Sequence, residues 1–249
     1  MSRAAPYRAR GSRQSRLIRS QVLLSGIALL ACLIVLGGSV YGVFKVRHVD
    51  VIGANLPHDD IVFRSQVLGQ NIFTVRSDTV VARLSHLHEI VVQRVDTGFP
   101  NRVIIYAQER TPVVAWQDGH NLYEIDPNGK FIKPVGSTTL PIIVGQGPIS
   151  PAQGVPLSSG DVAAVLYAAQ HLPAHPGGAI ARFQFAQDTG LSILSRNGWT
   201  AIVGSGSAQA LCDRIATLGA VLDHLGSRAS NLQLVDLRGS APYYRMRGA

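Results

Sequence analysis

Cysteine is almost missing: the 249 residues contain two, Cys32 and Cys212. One sits inside an apolar run and the other far beyond it, so no intramolecular disulfide is expected. Any folded part must then be held by its core alone, even in an oxidising compartment. Charged residues amount to only 15% and aromatic ones to 6%. No Asp or Glu precedes the apolar run, and the run itself, residues 22–44, has no charged side chain. Signatures of chemistry are missing as well. Neither G-x-S-x-G nor S-x-x-K occurs, which removes the usual frames for a nucleophilic serine. Gly204-Ser205-Gly206 begins like a dinucleotide loop, but Gln209 stands where the third small residue is required and no second βαβ half follows. It reads as a turn and helix cap. His86, His88 and Glu89 have no further His or Cys placed near them by sequence, so they read as solvated polar residues rather than metal ligands. His120, His171, His175 and His224 are scattered, and no pair among the acids is nominated for acid–base work. The chain is therefore expected to be no enzyme, with no cofactor, metal or small-molecule substrate.

What is present starts with the run VLLSGIALLACLIVLGGSVYGVF. As a helix it would be about 34 Å long, enough to cross a hydrocarbon layer of ~30 Å. The apolar stretch of a signal peptide is only about 7–15 residues. Arg3, Arg8, Arg10, Arg13, Arg16 and Arg19 precede the run, and Lys45 and Arg47 follow it. The positive-inside rule makes residues 1–20 a cytoplasmic tail, with Arg10, Arg13, Arg16 and Arg19 as topology determinants, and residues 21–45 a transmembrane helix. The bulk of the chain then lies on the far side. The formal charge of +8 resides mostly in that tail, since the remainder carries seventeen basic and fifteen acidic residues. The high pI is thus a topology signal, and no nucleic-acid partner is expected.

Beyond the run, the two-residue alternation of residues 46–53 predicts a strand. A helix is expected over 57–68, closed by Gly69, then an apolar connector at 71–75. Ser77 is read as the cap of a second helix to about residue 88, with Val80, Val81, Leu84 and Leu87 as its stripe. Strands follow at 90–96 and 102–108 around a Gly/Pro turn. After Pro112 the texture changes to short strands at 113–117, 122–126 and 131–135, split by Asp118-Gly119 and Pro127-Asn128-Gly129. After Leu140-Pro141-Ile142-Ile143 come a Pro/Gly-rich loop at 145–156 and a helix at 158–172. Further strands are expected at 183–186, 191–195 and 200–203. Leu211, Ile215, Leu218, Leu222 and Leu225 then form a narrow stripe, suited to a helix lying on a sheet. Strands at 231–238 and 242–247 end the chain.

The order of a basic tail, an apolar run, then VRHVDVIGA, GQNIFTV and LHEIVVQRVDTGFPNRVIIYAQERTPVVAW resembles the FtsQ/DivIB proteins of the bacterial divisome. Glu109-Arg110-Thr111-Pro112 followed by Ala115-Trp116 is similar to that family's junction between domains. The resemblance implies an α+β chain: one transmembrane helix, a POTRA domain at 46–112 and a C-terminal mixed β-sheet domain with helices at 113–249. It also implies an inner-membrane cell division scaffold at the septum, linking early and late division proteins. Its partners would be FtsB and FtsL together with other divisome proteins, and its outcome the control of septal peptidoglycan synthesis. Alternatives are a POTRA-bearing export or outer-membrane assembly component, which would normally continue into a barrel of many alternating strands, and a membrane-anchored periplasmic hydrolase.

Val235-Asp236-Leu237-Arg238 is similar to the family's late V-D-L-R stretch, after which the final strand is implied to bind FtsB at the sheet edge. Asp236, Arg238, Tyr243, Tyr244, Arg245, Met246 and Arg247 are the partner-binding candidates. Pro242 cannot donate a backbone hydrogen bond, which suits an edge. Alternation predicts Tyr244 and Met246 on the core face, with Tyr243, Arg245 and Arg247 on the other. The alternative for this strand is an ordinary edge blunted against aggregation by Arg and Pro.

Overall fold

The computed structural model of the chain describes residues 26–33, 37–38, 42–54, 57–145 and 157–248. Residues 26–33 are helical and exposed, and among the described residues no helix is long and apolar enough to cross a membrane. The basic tail with Arg10, Arg13, Arg16 and Arg19, several stretches of the 22–44 run, and the loop at 146–156 lie outside the described residues. The chain divides into two compact units. One takes the residues up to Leu84 and Val92–Ala107, and the other takes Ser85–Val91 and everything from Gln108 on.

In the first unit the strand β1 (His48–Ile52) leads into helix α1 (His58–Ser65), a 3-10 turn (Ile72–Thr74) and helix α2 (Ser77–Leu84). Strands β2 (Ile90–Gly98) and β3 (Arg102–Glu109) complete the expected order of strand, helix, helix, strand, strand. The sheet order is β1-β3-β2, with β1 parallel to β3 and Val49 opposite Val103. Alternation on β3 buries Val103, Ile105 and Ala107, and α1 and α2 add Ile61, Val80 and Leu84 to the buried set. Both helices are shorter than their sequence patterns suggest. α1 stops at Gln66, which adopts a left-handed φ of 53° and donates its N–H to Phe63, so Gly69 is not its end. α2 ends at Leu84, leaving Leu87 outside the helix and Val81 exposed. Ser77 is no cap either: it is the first helical residue, and its hydroxyl donates to the Val95 carbonyl at 3.0 Å.

The second unit is built on a mixed sheet. Strands β4 (Val114–Asp118), β5 (Asn121–Ile125) and β6 (Phe131–Val135) are successive hairpins, as the Asp-Gly and Pro-Asn-Gly turns predict. β7 (Ile142–Gly145) lies parallel to β4, and helix α3 (Ser159–His171) carries the chain to β8 (Ile180–Ala186), parallel to β7. β9 (Gly190–Ser195) and β10 (Thr200–Gly204) add antiparallel neighbours. Helix α4 (Ala208–Leu225) then returns the chain to β11 (Leu232–Asp236), parallel to β10, and β12 (Tyr243–Met246) closes the series. Among the described residues the order is β12-β11-β10-β9-β8-β7-β4-β5-β6.

Both helices start where the sequence offers a cap. The Ser158 hydroxyl accepts the Asp161 N–H, and the Asp161 carboxylate accepts the Ser158 N–H, a reciprocal capping box. The Ser207 hydroxyl accepts the Ala210 N–H. All five residues of the α4 stripe are buried, together with Val162, Val165 and Ala168 of α3, in one cluster with Phe183, Ile193, Ala201 and Val235 of the sheet. Each such aliphatic side chain contributes roughly 2 kcal/mol by leaving water. The opposite sheet face carries half-buried residues such as Leu194, Ile202 and Leu234.

Candidate functional site

The feature of the second unit that most resembles a binding site is the β12 end of its sheet. β12 pairs antiparallel with β11 through Leu232–Met246, Leu234–Arg245, Val235–Tyr244 and Asp236–Tyr243, with a bulge between Leu232 and Leu234. Among the described residues nothing pairs with its other side. An edge strand presents a row of N–H and C=O groups that another strand can satisfy. Pro242 stands immediately before β12, outside the ladder.

The sequence-derived residues divide into two groups here. Tyr243 is 61% and Tyr244 41% exposed. Arg245 is exposed beside them, whereas Met246 packs against the core. The burial expected for Tyr244 is therefore not found. It stands opposite buried Val235, but an edge strand has a neighbour on one flank only, so its ring stays largely in water. The register puts Tyr243 and Arg245 on the same face as Asp236 and Leu234, continuing across Ile202 and Thr200 of β10. Leu234 and Ile202 thus extend the edge into a half-buried apolar surface. Sequence reading passed over them, although their alternation with buried Val235 and Ala201 was the available signal.

Asp236, Arg238 and Arg247 are engaged by bonds within the chain, although both arginines are exposed. The Arg238 guanidinium donates to both Asp236 carboxylate oxygens at 3.0 and 2.7 Å, and the Arg238 N–H adds a third bond at 3.0 Å. These bonds hold the Asp236 carboxyl below the usual carboxylate range, with the Arg238 side chain the largest cause. Leu237, buried next to them, donates its N–H to the Ile202 carbonyl at 2.9 Å. Together they fix the bend from which β12 departs. At the other end of β12, Arg247 donates to the Asn197 and Gly198 carbonyls at 3.2 and 2.7 Å. Gly198 has a φ of +82°, and a Cβ there would strike the Arg247 guanidinium. Arg247 thereby staples β12 to the β9–β10 turn, a role its position in an alternating strand did not announce.

No metal-binding group of three His, Cys, Asp or Glu exists among the described residues. His86 is exposed and the His88 ring meets Phe131 edge-on at 5.5 Å. Ser205 is exposed, and its carbonyl accepts a bond from Arg214.

A family model described as cell division protein FtsQ/DivIB, C-terminal, matches residues 114–238, half of the chain, and ends just before β12. A Chloroflexus aggregans protein named cell division protein FtsQ is 26% identical over 237 residues, covering 92% of this chain and 84% of that protein. Similarity also extends to the solved major extracytoplasmic domain of the trans isomer of DivIB from Geobacillus stearothermophilus, at 15% identity and a TM-score of 0.27. That match covers 46% of this chain and 92% of the solved one. With half its length matched by the family model and a named division protein similar along nearly all of it, the chain belongs to the FtsQ/DivIB family of cell division proteins.

Proposed function

We propose that this division protein is a non-enzymatic scaffold of the septal inner membrane that binds FtsB at the β12 edge. Through FtsB and FtsL it links early to late division proteins and helps control septal peptidoglycan synthesis. Residues 21–45 form its single membrane helix and residues 1–20 a cytoplasmic tail; a POTRA domain at 46–112 and the β domain at 113–249 are periplasmic. The uncharged 22–44 run and the arginines before it support the topology. The βααββ order of the first unit supports the POTRA reading.

The observation that carries the proposal is the flank of β12 that is open among the described residues, beside exposed Tyr243, Tyr244 and Arg245. A strand added there gains main-chain bonds for affinity, and the aromatic and cationic side chains supply specificity. Removing residues 240–249 should abolish FtsB binding. Point variants are the cleaner test, because truncation also takes Met246 from the core and uncovers β11. Tyr243→Ala and Arg245→Ala should each weaken FtsB binding by about 2 kcal/mol, roughly 30-fold. Unchanged binding by a folded Tyr243→Ala/Arg245→Ala double variant would refute the assignment.

A further inference from the structure

At the end of the apolar run three phenylalanines meet. The Phe44 ring, the last residue of the run, lies 5.1 Å from that of Phe73 and 5.0 Å from that of Phe99. Phe73 belongs to the 3-10 turn before α2 and Phe99 to the turn between β2 and β3. Despite meeting, Phe73 is 71% and Phe99 73% exposed, and neighbouring Val43 is exposed too. Large aromatic surfaces gathered but left in water mark a surface awaiting an occupant.

Their placement relative to the run is set by main-chain bonds without slack. The Ile72 N–H donates to the Phe44 carbonyl at 2.9 Å and the Val46 N–H to the Gln70 carbonyl at 2.8 Å. The Gly69 N–H returns to the Val46 carbonyl at 2.9 Å, and the Arg47 N–H reaches the Asn101 carbonyl at 2.9 Å. Both Phe-bearing turns are thereby laced to the residues by which the chain leaves the run. β1 starts four residues beyond the run, and Ile52 lies about 13 Å along it from His48. If residues 22–44 fill the hydrocarbon layer, Phe44 ends at its boundary, and rings about 5 Å from it share that depth. Lys45 and exposed Arg47 follow at the level of the lipid headgroups.

The geometry points to Phe44, Phe73 and Phe99 as a lipid-inserting tip that seats the first unit on the bilayer, at the acyl–headgroup boundary of the leaflet the run exits. This rests on the single-span reading proposed above. The tip removes apolar surface from water and gives the unit a second attachment besides its covalent anchor, which restrains its swivel about residues 43–46.

The test uses the full chain reconstituted in phosphatidylethanolamine–phosphatidylglycerol vesicles, with or without bromine on the upper acyl carbons. Phe73→Trp and Phe99→Trp place indoles in the tip, and Ile52→Trp places one at the far end of β1. Trp116 and Trp199 are buried and serve as constant background. Both tip indoles should emit at shorter wavelength and lose roughly half of their added fluorescence to the bromines. The Ile52→Trp variant should lose little. Tip indoles as unquenched as that of Ile52→Trp, in a chain that still resists carbonate extraction, would overturn the tip and leave the anchor standing. Burial of the tip indoles only after a protein partner is added would overturn it as well. Extraction of the wild-type chain by carbonate would remove the anchor and the tip together.

Discussion

Asp126 shows how much a single side chain can be asked to hold. It is 3% exposed, and its carboxylate accepts the Asn128 and Lys130 N–H groups at 2.9 and 2.8 Å and the Arg110 guanidinium. Arg110→Ala would leave that charge buried without its cation, and the chain should lose about 3 kcal/mol, read from its denaturant midpoint. Arg76 and Asp78 form a solvated pair at 2.8 Å, and Arg76→Ala should leave the midpoint unchanged. Asp236 supplies a pH signature. Because its folded pKa lies below the ordinary value, its contribution is fully present above the usual carboxylate range and disappears as pH falls through the depressed value. Wild type should therefore melt above Asp236→Asn at neutral pH, and the gap should begin to shrink below about pH 4 and vanish once pH has fallen through the depressed value. A gap that persists under acid would mean that the Arg238 pair contributes nothing specific to the bend.

At the scale of elements, α4 binds the second unit together through one stripe. Leu218→Ala should cost about 2–5 kcal/mol, because the cavity would open between α4 and the sheet. Gly219, the next residue, has a different duty. A Cβ there would come within 2.6 Å of the His175 imidazole, which bonds to Asp223 on the same helix at 2.8 Å. Gly219→Val should thus destabilise by expelling His175 from its seat, and adding His175→Ala should recover part of the loss in a double-mutant cycle. Strict additivity would show that the 172–178 segment does not lean on α4. The α4 stripe was legible in the sequence, since it depends on residues three or four positions apart; Ser77, read there as the cap of α2, is not one. The ends of α1 and α2 were not legible. A left-handed Gln66 and a Ser77 hydroxyl drawn to Val95 depend on neighbours that no local pattern names.

For the whole molecule the decisive prediction is topological. A reporter active only outside the cytoplasm should work when fused after Ala249 and fail when fused near Gln14, and the reverse result would invert the account. The candidate site divides along the same line as the elements. That β12 is an edge strand was signalled by Pro242, while its alternation foretold the exposure of Tyr243 and Arg245 but not that of Tyr244. Arg247 gripping the β9–β10 turn fifty residues away was invisible, as was the surface formed by Leu234 and Ile202 beside Tyr243.

Period and charge asymmetry could be read from the chain alone, because each is settled by interactions within a few residues or by the solvent a segment meets. The order of elements, the α4 stripe and the uncharged run belong to that class. The strand order belongs to the other. β8 lies beside β7, and β11 beside β10, because α3 and α4 return the chain to parallel neighbours. Which flank stays open, and why Tyr244 as well as Tyr243 stays in water, follow from that order. So does the meeting of Phe73 and Phe99 at Phe44, since main-chain bonds between distant turns bring them to one point.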